Sequence, residues 1–327
     1  MDELNSTWDY ESYSPVVAET GACSTIDINK FGKAFLPPFY SVIFIISILG
    51  NGVVLLVLYK FEKLNSVTNI FLINLVASNL IFSFTLPFQA VYHSGEWVFG
   101  EALCKAVHGA YYLGFYSSIL FLTLMTFDRY LAVVHSMVAN RQRRGCYASC
   151  LSLAIWFVSF LASLEYFVHF TVEEYPMAGL VCEDQGEEHW LMFSFYKQIV
   201  LFFLFPLAVF VYCYMRITLT VMATRMAGKH RTIRLVFVIV LMFFVFWSPY
   251  NIVLMIDEFK VEEDCGSSLP YVRYIASNLA RLYFCISPVL YTFLGRKFQN
   301  HARGVLASHF SCLASRLSIS SSSRSLA

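Results

Sequence analysis

Seven apolar stretches separated by short polar breaks constrain this chain more than any other feature. They run at about 34–60, 66–93, 103–135, 146–170, 190–224, 230–259 and 268–294. Each is near the ~20 residues that cross ~30 Å of hydrocarbon. Lipid offers unpaired backbone groups no partner, so each stretch is expected to be a helix. Composition agrees: 58% of residues are hydrophobic and 14% charged, against roughly 45–50% and about 25% in soluble domains. Pro87, Pro206, Pro249 and Pro288 lie inside stretches, where a proline removes a hydrogen bond and kinks the helix. The expected fold is an all-α membrane protein, a seven-transmembrane bundle over 34–294.

Charge sets the direction. With the amino terminus outside, the cytoplasmic side receives 16 of the 23 Lys and Arg but only Glu62 and Asp128 of the 22 acids. That is the positive-inside pattern, and the opposite orientation inverts it. No cleavable signal peptide is evident in the polar start, so the first span is expected to act as its own insertion signal. The net charge of +1 gives no case for a nucleic-acid partner.

Outside the bundle, residues 1–33 form an acidic arm. It carries the sequon Asn5-Ser6-Thr7, expected to be glycosylated at Asn5. Tyr10 and Tyr13 stand among Asp9 and Glu11. The arm reads either as a disordered tail or as a tyrosine-sulfated hook for a basic partner. Residues 295–310 resemble an amphipathic helix on the inner membrane face, and 311–327 a flexible Ser-rich tail. That tail reads as a linker or as a phosphate acceptor, and Cys312 as a palmitoylation site or an idle thiol. HExxH, P-loop, GxSxG and GxGxxG patterns are absent, and the nine cysteines form no CxxC. An enzyme, a resident metal and a cofactor are therefore not expected. Cys23, Cys104, Cys182 and Cys265 fall at outer segments, where an oxidising exterior favours disulfides in one of three pairings. Cys146, Cys150, Cys213 and Cys285 read as packing residues.

Asp128-Arg129-Tyr130 at the end of the third span and Trp247-Ser248-Pro249 in the sixth together resemble a rhodopsin-like (class A) G-protein-coupled receptor. Gly50-Asn51, Trp156, Pro206 with Tyr214, and Pro288-Val289-Leu290-Tyr291 fit the same pattern. Thr85-Leu86-Pro87, Trp97-Val98-Phe99-Gly100 and the run Asp128 to His135 narrow the likeness to chemokine receptors. CC-type and lymphotactin-receptor-like members fit equally, and a virus-encoded homologue is compatible.

The resemblance implies a plasma-membrane receptor that couples a basic extracellular chemokine to a heterotrimeric G protein of the Gi class, with arrestin recruited through the Ser-rich tail. The alternatives are a chemokine decoy or scavenger, or a peptide receptor of the same fold. The resemblance selects the pairings Cys104–Cys182 and Cys23–Cys265. An acidic outer face, including Glu173, Glu174, Glu183, Asp184, Glu187 and Glu188, would steer a basic ligand inward. The expected pocket holds Gln89, Tyr92, Tyr111, Phe115, Trp247, Tyr250 and Tyr283. The seventh-helix glutamate of many chemokine receptors is replaced by Ser277, for which Asp257 or Glu258 would substitute. Arg281, in the same span, is expected to face the bundle interior and is the strongest intramembrane charge.

The implied switch comprises Asp128, Arg129, Tyr130, Tyr214, Trp247, Pro249 and Tyr291. No acid opens the sixth helix, where Lys229 stands, so Arg129 is expected to lack a lock across helices. Asn79 and Ser287 replace the usual aspartate and asparagine of a sodium site that would include Ser118. The expected consequence is a weak sodium site and raised basal signalling.

Overall fold

A computed structural model describes residues 26–61, 66–135, 145–176, 179–223, 230–258 and 269–294, with side chains at 26–31, 230–236, 239, 270 and 285–294 outside the description. The helices are α1 (Ile26–Phe61), α2 (Val67–Ser94), α3 (Gly100–Val134), α4 (Gly145–His169), α5 (Glu188–Ala223), α6 (His230–Glu258) and α7 (Leu269–Leu294). Six carry an apolar window long enough to span a bilayer among the described residues. At 26 residues α7 is also long enough, and it packs against α1, α2 and α6. α1 begins at Ile26 rather than at residue 34, because hydropathy marks where lipid starts, not where a helix starts.

α3 is the central strut, packed against α2, α4 and α5. Small residues allow the close approach that drives helix association in lipid. A Cβ at Gly114 would lie 2.6 Å from the Phe82 backbone nitrogen and 2.9 Å from the Ser78 carbonyl. α4 buries Ala148, Ser152, Ser159, Ser163 and Tyr166, and turns Leu153, Phe157 and Leu161 outward. Trp156 Nε1 donates to Asn74 Oδ1 at 2.8 Å and ties α4 to α2.

α5 is broken in register by a π turn at Val200–Leu204. Pro206 has no N–H to give to the preceding turn; just before it, the Phe205 amide reaches back to the Val200 carbonyl. The extra residue in that turn is how the helix passes the proline.

Between α4 and α5 lies a hairpin that the hydropathy reading did not anticipate. β1 (Phe170–Tyr175) pairs antiparallel with β2 (Gly179–Asp184), Val172 opposite Cys182. It is fastened to the loop before α3: Trp97 N donates to the Leu180 carbonyl at 2.7 Å, and Leu180 N to Glu96 Oε2 at 2.9 Å.

Candidate functional site: an outer mouth and an inner switch on one helix

α3 carries both ends of the site. Cys104 in its first turns is disulfide-bonded to Cys182 of β2, with Cα atoms 5.8 Å apart. Arg129, 25 residues further on, lies about 37 Å away at 1.5 Å per residue. Cys23 and Cys265, with Asn5, Tyr10 and Tyr13, lie outside the described residues.

At the mouth, Gln89 and His108 stand 3.2 Å apart, and His108 Nδ1 lies 3.0 Å from the Cys104 carbonyl oxygen. The His108 ring stacks on Phe170 of β1. Both imidazole nitrogens are thus engaged, and His108 locks the hairpin to α3. Tyr92 packs edge-on against Trp97. Ringed contacts then run inward: His93 to Tyr40, with the Arg281 guanidinium 5.5 Å from the Tyr40 ring and 5.8 Å from Tyr111. Arg281 also donates to the Tyr40 hydroxyl at 3.0 Å, so it does face the interior. Tyr111 meets Phe82, Phe82 stacks on Phe284, and Phe284 meets Trp247. Trp247 stacks on Phe115 with centroids 4.4 Å apart and meets Tyr250 edge-on; Tyr283 packs on Phe243 one turn below.

The acidic face of the hairpin is divided. Glu173 and Glu174 are exposed. Glu183 is buried, accepting from the Tyr175 hydroxyl at 2.5 Å and from Gln185 at 2.7 Å. Burial pushes the Asp184 carboxyl up from its ordinary range, opposed by the Gly186 amide 2.8 Å from its Oδ1. Ser277 turns its hydroxyl onto the Tyr274 carbonyl of its own helix at 3.0 Å. Asp257 pairs with Arg273 of α7 at 2.7 Å, one turn above Ser277. Glu258 is half-buried at the end of α6.

At the inner end, Arg129 Nη2 donates to Asp128 Oδ2 at 2.8 Å and also to Thr68 Oγ1 of α2. Thr68 in turn lies 3.3 Å from Asp128 Oδ2. The expectation of no cross-helix lock is therefore corrected: the partner is a hydroxyl on α2, not an acid on α6. The Tyr130 hydroxyl lies 3.0 Å from His135 Nε2. Tyr214 packs edge-on against Phe237 of α6. Pro249 lies within α6 and Pro288 within α7, while the side chains of Ser287 and Tyr291 are outside the description.

The profile of the family described as "7 transmembrane receptor (rhodopsin family)" matches residues 50–291. The chain belongs to that family. C-C chemokine receptor type 3 of Cavia porcellus is 37% identical over 307 residues, 91% of this chain and 84% of that receptor. Human C-C chemokine receptor type 4 is 37% identical over 300 residues, 89% and 83% of the two chains. Human C-C chemokine receptor type 8 is 35% identical over 306 residues, 91% and 86%. The receptor is thus a multi-pass plasma-membrane signalling protein grouped with chemokine receptors, and not an enzyme.

In the middle of the receptor, Asn79 is buried and accepts from Ser118 Oγ at 2.9 Å. Its backbone carbonyl accepts from Ser83, which meets Ser47, which in turn receives the Asn51 amide at 3.0 Å. Neutral hydroxyls and amides thus link α1, α2 and α3 at this depth.

Arg281 is not the one deep charge. Lys197 of α5 and Glu165 of α4 form an ion pair with side chains 4% and 9% exposed. Lys197 also donates to the Ala162 carbonyl at 2.7 Å and sits over the rings of Tyr166 and Tyr116. Ser194 donates to the same carboxylate. Both residues lie in apolar windows, which was the available signal. Cys213 is buried as expected, whereas Cys146 and Cys150 are exposed and do not pack in the bundle.

Proposed function

We propose that the receptor binds a basic secreted chemokine at its acidic mouth and activates a Gi-class heterotrimeric G protein. The observation that carries this is the disulfide-anchored hairpin. It ties the strand that carries the exposed Glu173 and Glu174 to the outer end of α3, and an aromatic column runs inward from that end to Trp247. A negative rim of this kind raises the encounter rate of a cationic protein, and the names of the relatives agree. Tyr10, Tyr13, Gln89, Tyr92, Tyr111 and Tyr250 are assigned to ligand contact, with Asp257 and Glu258 at the rim.

Inside, Arg129 is assigned to the switch. Its release from Asp128 and Thr68 frees the inner end of α3, and α6 swings about Pro249. A carboxyl-terminal G-protein helix then enters the groove. A ligand drives this only through its preference for the open state. The Ser-rich 311–327 segment is assigned to arrestin recruitment after phosphorylation.

A chemokine panel tested for displacement and for pertussis-toxin-sensitive nucleotide exchange decides the matter. Activation by at least one basic chemokine, weakened by salt and abolished in Arg129→Ala, is expected. Binding without exchange supports the decoy reading, against which the intact Asp128-Arg129-Tyr130 stands.

A further inference from the structure

α4 starts at the cytoplasmic face, directly after Arg141, Arg143 and Arg144. The described helix Gly145–His169 carries an apolar window long enough to cross the bilayer, so the change from arginines to apolar residues marks its cytoplasmic boundary. Cys146, two residues after Arg144 in the sequence, therefore stands near the boundary between headgroups and acyl chains. Cys150 is one turn deeper, about 6 Å, on the same face.

Both thiols are exposed, while Ala148 between them is buried against the bundle. The same face continues outward as Leu153, 69% exposed, then Phe157 at 63% and Leu161 at 52%. The two cysteines therefore open an outward apolar stripe that runs along α4. The other described cysteines are placed otherwise: Cys213 is wholly buried, and Cys104 and Cys182 are joined.

We propose that Cys146, with Cys150 as a second acceptor, is an S-acylation site carrying a long-chain fatty acyl group. The thiolate attacks the carbonyl carbon of a fatty acyl-coenzyme A. A thioester forms, the bond to the coenzyme A sulfur breaks, and coenzyme A leaves as its thiol with the proton the cysteine gave up. No oxidant or reductant is needed. The acyl chain enters the inner leaflet at the cysteine and lies along the Leu153–Phe157–Leu161 stripe. It anchors the cytoplasmic end of α4 in the inner leaflet. A juxtamembrane cysteine is an acceptor for reversible S-acylation on membrane proteins.

The test uses the full-length receptor expressed in cells fed 17-octadecynoic acid, immunopurified and coupled to a fluorescent azide. Cys312→Ser is the background, so that tail acylation cannot contribute. Hydroxylamine-labile label is expected there, falling at least about fivefold on adding Cys146→Ser and Cys150→Ser. Mass-tagging of the hydroxylamine-released thiols on the Cys312→Ser receptor is expected to show one or two added steps, one of them lost with Cys146→Ser alone. Both substitutions lie on the outward face, and antibody counting of surface receptor confirms that the variants fold. No labile label on the Cys312→Ser receptor, or label unchanged by the double substitution, overturns the proposal.

Discussion

Lys197→Met orphans the Glu165 carboxylate, whose side chain is 9% exposed. Glu165→Gln instead orphans the Lys197 ammonium, whose side chain is 4% exposed. An unpaired buried charge is costly, and removing one partner of a buried pair costs about 3–5 kcal/mol. The double variant leaves no charge, and replacing a whole buried pair by neutral groups is often neutral or stabilising. Each single variant should therefore melt about 5–10 °C below wild type, taking about 2 °C per kcal/mol. The double variant should return to within about 2 °C. The assay is a thermal ramp of purified receptor whose accessible thiols, Cys146 and Cys150 among them, have first been blocked with N-ethylmaleimide; a maleimide fluorophore then reports exposure of the buried Cys213. Single-variant melts within 1 °C of wild type, or a double variant as poor as the sum of the singles, would refute the reasoning.

Three further outcomes are expected. Thr68→Val removes the α2 hydroxyl that receives Arg129; losing a hydrogen bond to a charged group costs about 1.5 kcal/mol, so basal nucleotide exchange per surface receptor should rise about tenfold, and unchanged exchange refutes the lock. Asn79→Asp supplies the missing carboxylate beside Ser118, and should lower basal exchange in sodium buffer but not in N-methylglucamine; equal output in both ions refutes a restored site. Gly114→Ala drives a methyl group into the Phe82 and Ser78 backbones, an overpacking worth about 1–3 kcal/mol, measured as a lowered melting temperature in the same ramp.

The seven crossings were legible because a membrane span is written in consecutive residues, and a 25-residue apolar run such as α4 has few other uses. Cys104–Cys182 came from the resemblance and is present. The hairpin was not legible: Phe170–Tyr175 and Gly179–Asp184 are short, mixed in polarity, and held by partners on the loop before α3. Thr68 escaped notice because a threonine carries no charge to mark it; only the fold brings it to Arg129. Lys197 and Glu165 were visible as charges in apolar runs, but 32 residues of chain separate them. A helical wheel of α5 drawn as regular α-helix also misplaces Lys197, because the π turn intervenes. Arg281 was placed correctly, since its inward direction follows from the cost of charge in lipid alone.

That wide turn at Val200–Leu204 gives the two halves of α5 separate angular phases. One surplus residue rotates everything before it by about 100° relative to an unbroken α-helix. It is the gearing that aims Lys197 at α4 while Cys213 and Ile217, further on, stay turned into the bundle. Excising the surplus residue would restore regular pitch and leave Lys197 still facing α4. Closing the turn to α pitch with every residue kept would instead rotate the ammonium off Glu165 by about 100° and leave the cytoplasmic half unmoved.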